Sequence, residues 1–327
     1  MKIAIVKLSA LGDIVHAMVV LQYIKKYNPA IKIDWIVEER YKELLESNPH
    51  ISKVHVINLK KVKQKKSFIL LIKELRNVCK LGPYELVIDM QGLIKSAIIS
   101  RLIPSKKTLG FDMYSSREHI ASIFYSQKFK IGYEKNVIER NFELIKFAIK
   151  FPFHREEIIN KNSFLFPSQK LLNLNLPVEK KTILLIPGAS HPSKRYPISS
   201  FIEFTTLIDA NFLIIWGNQK EKKMAHEIKT KGTSVSLCEK LTIDSLKLLI
   251  SKVHLVVGPD TGPTHMAWAL NTPSITIFGP TPSYRNTYIT RINKIIESDS
   301  IVDPSKINKD DDSIKNIKAS DIAKISE

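Results

Sequence analysis

Four stretches of this 327-residue chain put polar groups where α/β proteins keep their ligands. In KLSALGDIVHA (7–17) a carboxylate, Asp13, follows the apolar run Ile3-Ala4-Ile5-Val6 and precedes an apolar rhythm at Ile14, Ala17, Leu21 and Ile24. That order predicts buried strand, tight loop and helix, with Asp13 in the helix's first turn. Two roles are open to it there: capping the first helical N–H groups, or facing a ligand just beyond the strand's carboxyl end. In GPDTGPTH (258–265), which joins the strand-like LVV to the helical MAWAL, glycine and threonine allow close approach of a phosphate. The first N–H groups of the helix, with its dipole, would hold a diphosphate around Thr261 and Gly262, and Pro263 is compatible with a helix start. Asp260 would repel phosphate, so it is expected to face sugar hydroxyls or to orient the loop, and His265 to be a hydrogen-bonding partner near the helix start. In PGASHPSK (187–194), Ser190 and Lys194 suit phosphate oxygens, with Lys194 a point charge for a departing diphosphate or simply one more surface lysine. Glu221 in WGNQKE (216–221) suits ribose hydroxyls, or a solvated helix start.

Other chemistries lack their signatures. The first turn contains Gly12 alone, without G-x-G-x-x-G, and there is no Walker motif and no G-x-S-x-G elbow. Cys79 and Cys238 have no CxxC or Cys/His spacing, so neither a disulfide framework nor a zinc site is suggested and no metal is called for.

The elements that must position these groups alternate. Strand-like runs at 3–6, 31–38, 54–59 and 85–90 are interleaved with helical patterns, which is the order of a parallel α/β sheet. The pattern starts afresh at 182 with TILLIPG, then FLIIWG (212–217), the charged helix KEKKMAHEIKTK, the helix IDSLKLLISK, VHLVVGPD (253–260) and SITIFGPT (274–281). Residues 151–181, with Pro152, Pro167 and Pro177, read as a connection between two domains, whose cleft is the expected ligand site. After about 301, Asp310-Asp311-Asp312 reads as a solvated segment before a short helix near DIAKIS.

At this length two domains are the default, and 44% hydrophobic residues make the chain globular. No apolar run reaches the ~18 residues that span a bilayer, and the opening MKIAIV is too short for a signal segment, so a cytoplasmic protein is expected. The formal charge of +18 favours acidic partners, although 41 of the 50 basic residues are lysine, as a composition bias would also produce. No zinc finger, RNP pattern or helix-turn-helix accompanies the charge, which argues against nucleic acid.

The sequence resembles the lipopolysaccharide heptosyltransferases, two-domain glycosyltransferases of the GT-B type (glycosyltransferase family 9), and within them the heptosyltransferase I branch. The resemblance rests on KLSALGDIVHA, IDWIVEE (33–39), VIDMQGLIKSA (87–97), SREHIASIFY (116–125), the Lys194 stretch, WGNQKE and GPDTGPTHMAWAL through FGPT, and it covers most of residues 1–282. It implies an α/β fold of two Rossmann-like domains: residues 1–165 bind the acceptor and carry the catalytic base, and residues 166–327 bind the donor. It implies inverting transfer of L-glycero-D-manno-heptose from ADP-heptose to the Kdo of Kdo-lipid A, with domain closure excluding water and with no cofactor. Carried over by position, Asp13 becomes the general base, while Ser190, Lys194 and Thr261 hold the diphosphate, beside Gly262 and His265. Glu221 grips the ribose, Asp260 lies beside the heptose and Leu241 packs on adenine. Ala189 stands where some relatives have a hydroxyl residue. Lys60, Lys61 and Lys63, in the run Lys60–Lys66, fall where the branch has a basic acceptor loop, and Arg117 and Arg140 match other basic acceptor positions. The implied location is peripheral, on the anionic cytoplasmic face of the inner membrane. Three alternatives differ in one observable each: heptosyltransferase II in its heptose acceptor, a nucleotide-binding regulator in lacking donor turnover, and a nucleic-acid binder in an affinity that ADP does not displace.

Overall fold

Apolar runs flanked by helices on both sides make strands that read as nearly continuous hydrophobic segments, and this chain contains two such sets. The computed structural model describes residues 1–152, 154–168 and 179–326. The chain divides into two compact units, Met1–Phe164 and Leu165–Glu327.

The first unit holds a six-stranded parallel sheet of β1 (Lys2–Val6), β2 (Lys32–Glu38), β3 (Lys53–Ile57), β4 (Tyr84–Asp89), β5 (Ser105–Phe111) and β6 (Gln127–Phe129), in the order β3-β2-β1-β4-β5-β6. Central β1 pairs Ile3 with Ile33 on one side and Leu86 on the other, and Ile5 with Trp35 and Ile88. Ile3, Ile5, Trp35 and Ile88 are fully buried, which pins the register, since a one-residue slip would turn each to the opposite face. The second unit repeats the plan with β7 (Thr182–Leu185), β8 (Asn211–Ile214), β9 (Val235–Leu237), β10 (Leu255–Pro259), β11 (Ser274–Phe278) and β12 (Asn293–Glu297), in the order β12-β11-β10-β7-β8-β9. In both, the unit's first strand lies between its second and fourth. The direction of winding reverses there, and ligands of doubly wound sheets sit beyond the carboxyl ends at that point.

The structure differs from the sequence expectations in three local ways. β5, β6, β9 and β12 were not anticipated, because SKKTLGF, QKF, VSL and NKIIE are short or interrupted by lysine and polar residues. The helix after β1 is in two pieces, Leu11–Met18 and Val20–Tyr27. The lysine run is not a loop: Leu59–Lys65 is helical, with Leu59 packed against the first core, and it ends at Lys66 with φ +46°.

The connection is fastened at both ends. Glu157, in a short helix Glu156–Ile159, accepts hydrogen bonds from Lys26 Nζ (2.7 Å) and Tyr27 Oη (2.8 Å), and its carbonyl accepts one from Tyr23 Oη. Lys247, fully buried, donates to the Phe166 carbonyl at 2.7 Å, and Asp244 accepts from Ser168 N at 3.0 Å. Pro177 lies outside the described residues. In the tail, Asp311 accepts from Ser313 N and Oγ (2.9 and 2.6 Å) and from Ser300 Oγ, and the final helix Ala319–Ser326 buries Ile322 in the second core.

Candidate functional site

In the first unit the polar groups gather at the carboxyl ends of β1 and β4. Helix Leu11–Met18 starts two residues before Asp13, so Asp13 is its third residue and not the N-cap. From there its Oδ2 accepts a hydrogen bond from Ala10 N (3.1 Å), an interaction that favours a carboxylate at a helix's positive end, and the side chain is exposed. Tyr41, whose phenol is pushed up by burial, lies close enough for the Asp13 charge to add to that shift.

The loop carrying Asp13 is held by residues that sequence reasoning did not single out for this task. Gln91 Oε1 accepts from Leu8 N (2.7 Å) and Ser9 N (3.3 Å), and Lys7 Nζ donates to the Met90 carbonyl (2.9 Å). Asp89, fully buried at the end of β4, accepts from Gln91 N (2.8 Å), Gly92 N (3.2 Å) and Tyr125 Oη (2.7 Å). Burial pushes its carboxyl up against the pull of these donors. Gly92 turns the chain at φ +67°, a conformation glycine adopts without a Cβ clash. The available signal was a polar pair directly after an apolar strand in VIDMQG, the same pattern that drew attention to Asp13.

The basic positions separate. Lys60, Lys61 and Lys63 are exposed on their short helix, and Glu38, whose carboxyl burial pushes up, accepts from Lys60 N (3.4 Å). Arg117 is exposed on the β5–β6 connection. Arg140 is buried: its guanidinium donates to the carbonyls of Ile131 (3.2 Å), Gly132 (2.5 Å) and Ser115 (2.6 Å) and lies over Phe111. In this setting it ties that connection to helix Val137–Ile149.

In the second unit β7, β8 and β10 are neighbours, so the loops after them share one edge. Lys194 follows β7 and Asp260 follows β10, on either side of the reversal point, and Lys194 Nζ stands 2.7 Å from Asp260 Oδ2 with both side chains buried. His265 Nε2 meets Asp260 Oδ1 at 2.9 Å, and Thr281 Oγ1 (2.9 Å) and Asn286 Nδ2 (3.2 Å) donate to Oδ2. Burial pushes the Asp260 carboxyl up, but the Lys194 ammonium and His265 outweigh it and hold the group well below the usual carboxylate range. Asp260 thus fixes Lys194, and this pair uses one of the ammonium's three N–H donors. Thr281 and Asn286 went unnoticed in the sequence because their partner is 21 and 26 residues away.

Thr261 is the N-cap of helix Gly262–Leu270, with Pro263 in the first turn, so the helix's leading N–H groups point off the sheet edge. Ser190 is exposed in the loop after β7. Glu221 accepts from Gly217 N (2.7 Å) and Asn218 Nδ2 (2.6 Å). A Cβ on Gly188 would stand 2.6 Å from Glu221 Cδ, so the glycine is what lets this carboxylate lie against the Ser190 loop. Leu241 is half-buried, ahead of helix Ile243–Lys252.

The sequence model of glycosyltransferase family 9 (heptosyltransferase) matches residues 70–315. The chain is 38% identical to lipopolysaccharide heptosyltransferase 1 of Campylobacter coli, over 99% of this chain and 98% of that one. The chain belongs to glycosyltransferase family 9. It is 28% identical to lipopolysaccharide heptosyltransferase 1 of Escherichia coli K12, over 86% of this chain and 88% of that one. Among solved structures, E. coli heptosyltransferase WaaC with ADP-2-deoxy-2-fluoro heptose superimposes with a TM-score of 0.80 at 22% identity, covering 100% of this chain and 99% of that one. The fold is therefore α/β of the GT-B type, and the protein is a glycosyltransferase. In such an enzyme a glycosyl donor needs a preorganised positive edge for its leaving phosphate, and a hydroxyl acceptor needs a base. The helix start at Thr261 with the Lys194 ammonium presents positive charge in the second unit, and Asp13 presents an exposed carboxylate in the first.

Proposed function

We propose that this family 9 heptosyltransferase transfers L-glycero-D-manno-heptose from ADP-heptose to the Kdo of Kdo-lipid A, with inversion, in lipopolysaccharide inner-core synthesis. The observation that carries this reading is 38% identity, over nearly the whole of both chains, with a protein named lipopolysaccharide heptosyltransferase 1. A relative of the same fold was solved with a fluorinated ADP-heptose, which supports the donor assignment.

In this mechanism the Kdo hydroxyl oxygen attacks the anomeric carbon of the heptose as the bond from that carbon to the β-phosphate oxygen breaks. The hydroxyl proton passes to Asp13, and ADP leaves with the bonding pair. A carboxylate is a weak base toward a sugar hydroxyl, so proton transfer follows the rise in acidity that attack produces. The departing group accordingly carries much of the activation. Lys194, Ser190, Thr261 and the N–H groups of Gly262 and Thr264 stabilise charge growing on the diphosphate, with His265 and Asp260 fixing the lysine. Glu221 takes the ribose hydroxyls and Leu241 the adenine face. The unit Met1–Phe164 binds the acceptor, through Lys60, Lys61, Lys63 and Arg117, and Arg140 shapes that site by holding the loop. Among the described residues no helix is long and apolar enough to cross a membrane. The enzyme works as a peripheral protein on the cytoplasmic face of the inner membrane, drawn there by its lysines.

The test is transfer from ADP-heptose to Kdo-lipid A and, separately, to its heptosylated product. Turnover on the first alone is expected. Turnover on the second alone would assign the heptosyltransferase II acceptor, and donor binding without turnover on either would overturn both acceptor readings.

A further inference from the structure

Helix Phe68–Cys79 opens with two large apolar side chains in water: Phe68 is 72% exposed and Ile69 79%. Leu70, Leu71 and Ile72 behind them are half-buried, so the helix already has the apolar contacts that hold it to the unit. Just upstream stand five exposed lysines, Lys60, Lys61, Lys63, Lys65 and Lys66. A solvent-facing helix start ordinarily has Asp or Glu in its first turn, where the dipole favours negative charge, and this one has none. Lys63 and Lys65 stand in the last turn of their own helix, where its dipole favours cations, but five lysines within seven residues repel one another, and an anionic layer relieves that repulsion. Exposed apolar tips beside long cations are the pattern of elements lying in a bilayer surface: the tips enter the acyl region, and lysine stems run along apolar surface to place ammonium groups on headgroup phosphates.

A second group lies on the same edge of the sheet. The β5–β6 connection exposes Met113, Tyr114, Ile120 and Ile123 together with Arg117, while Ala121 between them is buried against Ala97 and Tyr125. The short lysine helix follows the carboxyl end of β3 and this connection follows that of β5, so both belong to the carboxyl edge of a parallel sheet.

We propose that Phe68 and Ile69 insert into the acyl region of an anionic phospholipid bilayer, with Lys60–Lys66 seated on its phosphates. The proposal rests on the membrane reading above and adds to it an apolar, salt-resistant anchor with named residues. Charge complementarity selects this occupant, because cations flanking an apolar tip match a surface that is anionic outside and apolar within.

The test uses the full chain and vesicles holding neither donor nor acceptor, made of equal parts phosphatidylglycerol and phosphatidylcholine, with phosphatidylcholine alone as control. The wild type should sediment with the anionic vesicles and retain part of that binding at high salt. Phe68→Ser with Ile69→Ser should weaken binding by about 10-fold or more and abolish the salt-resistant part. Phe68→Leu with Ile69→Leu should retain it, which separates lost insertion from a lost fold. Tryptophan emission in Phe68→Trp should be quenched by lipids brominated on their acyl chains. Heptose transfer to a soluble acceptor without acyl chains should not change in the serine pair. Equal vesicle binding by the serine pair, without quenching at position 68, would overturn insertion and leave the lysine role standing. Failure of the wild type to bind anionic vesicles would overturn both. Loss of soluble-acceptor transfer matching the loss of vesicle binding would put the two residues in the acceptor site and overturn the proposal.

Discussion

Asp13 accepts one hydrogen bond from its own turn and is otherwise exposed, so its chemistry and its local structural role can be separated by one substitution. Asp13→Asn retains an oxygen that can accept from Ala10 N. The fold should survive and ADP affinity stay close to wild type, while transfer falls by roughly 10²- to 10⁴-fold, the usual share of a general base. Near-normal transfer by this variant would leave Asp13 only its place in the helix turn. Lys194 tests the leaving-group side. Because charge on the diphosphate grows toward the transition state, Lys194→Ala should lower kcat by on the order of 10² and weaken ADP binding less. Equal losses in both would mean uniform binding instead. Both residues were legible in the sequence, since each follows an apolar strand within a polar turn. Asp260 was also singled out, but not its pairing: it is 66 residues from Lys194, and no local pattern announces that the ammonium is fixed by this buried carboxylate.

At the scale of elements, the sequence located strands whose residues are buried on both faces, such as β1, β2, β4, β10 and β11, and predicted helix Ile243–Lys252 to the residue. It missed the outer strands β6, β9 and β12, where a solvated side admits lysine and polar residues and the apolar run is broken. It also took Lys60–Lys66 for a loop, because five lysines in seven residues leave little apolar pattern, and the residue that packs on the core, Leu59, precedes the run. The most consequential tie between elements, from the turn after β4 to the loop after β1, spans 83 residues. Gln91→Ala removes the acceptor of Leu8 N and Ser9 N, and leaving such donors unmet costs about 1–3 kcal/mol. If the tie also aims the Asp13 helix, kcat should fall more than the melting temperature alone explains, with KM for the donor nearly unchanged. Gln91→Glu retains an accepting oxygen and should recover much of the loss. Thermal unfolding and steady-state kinetics on the two variants provide the comparison.

At the scale of the molecule, two cores carry a formal charge of +18, so self-repulsion weakens as pH rises toward the isoelectric point near 9.6. One buried group adds a steeper dependence in the same direction. Lys161 is 6% exposed, its ammonium lies 5.5 Å from the Phe164 ring, and burial lowers its pKa from the ordinary 10.5 to about 7. In the unfolded chain the amine remains protonated up to its ordinary value. Between about 7 and 10.5 the unfolded state therefore binds more protons than the folded one, and stability rises with pH across that window, by at most ~1.4 kcal/mol per pH unit from this group. Below about 7 both states are protonated and the dependence vanishes. Self-repulsion alone would give a shallow rise shared by many lysines, so the two contributions are separated by Lys161→Met, which retains the apolar stem and removes the titrating group. From pH 7 to pH 9 the first unit of the wild type should gain on the order of 1–2 kcal/mol more than that of the variant. Hydrogen exchange of the β1, β2 and β4 amides, followed in both proteins across that range, reads the difference in the unit that contains Lys161. Parallel pH profiles for the two proteins would mean that Lys161 is protonated to the same extent folded and unfolded, and that the lysine surface alone sets the slope.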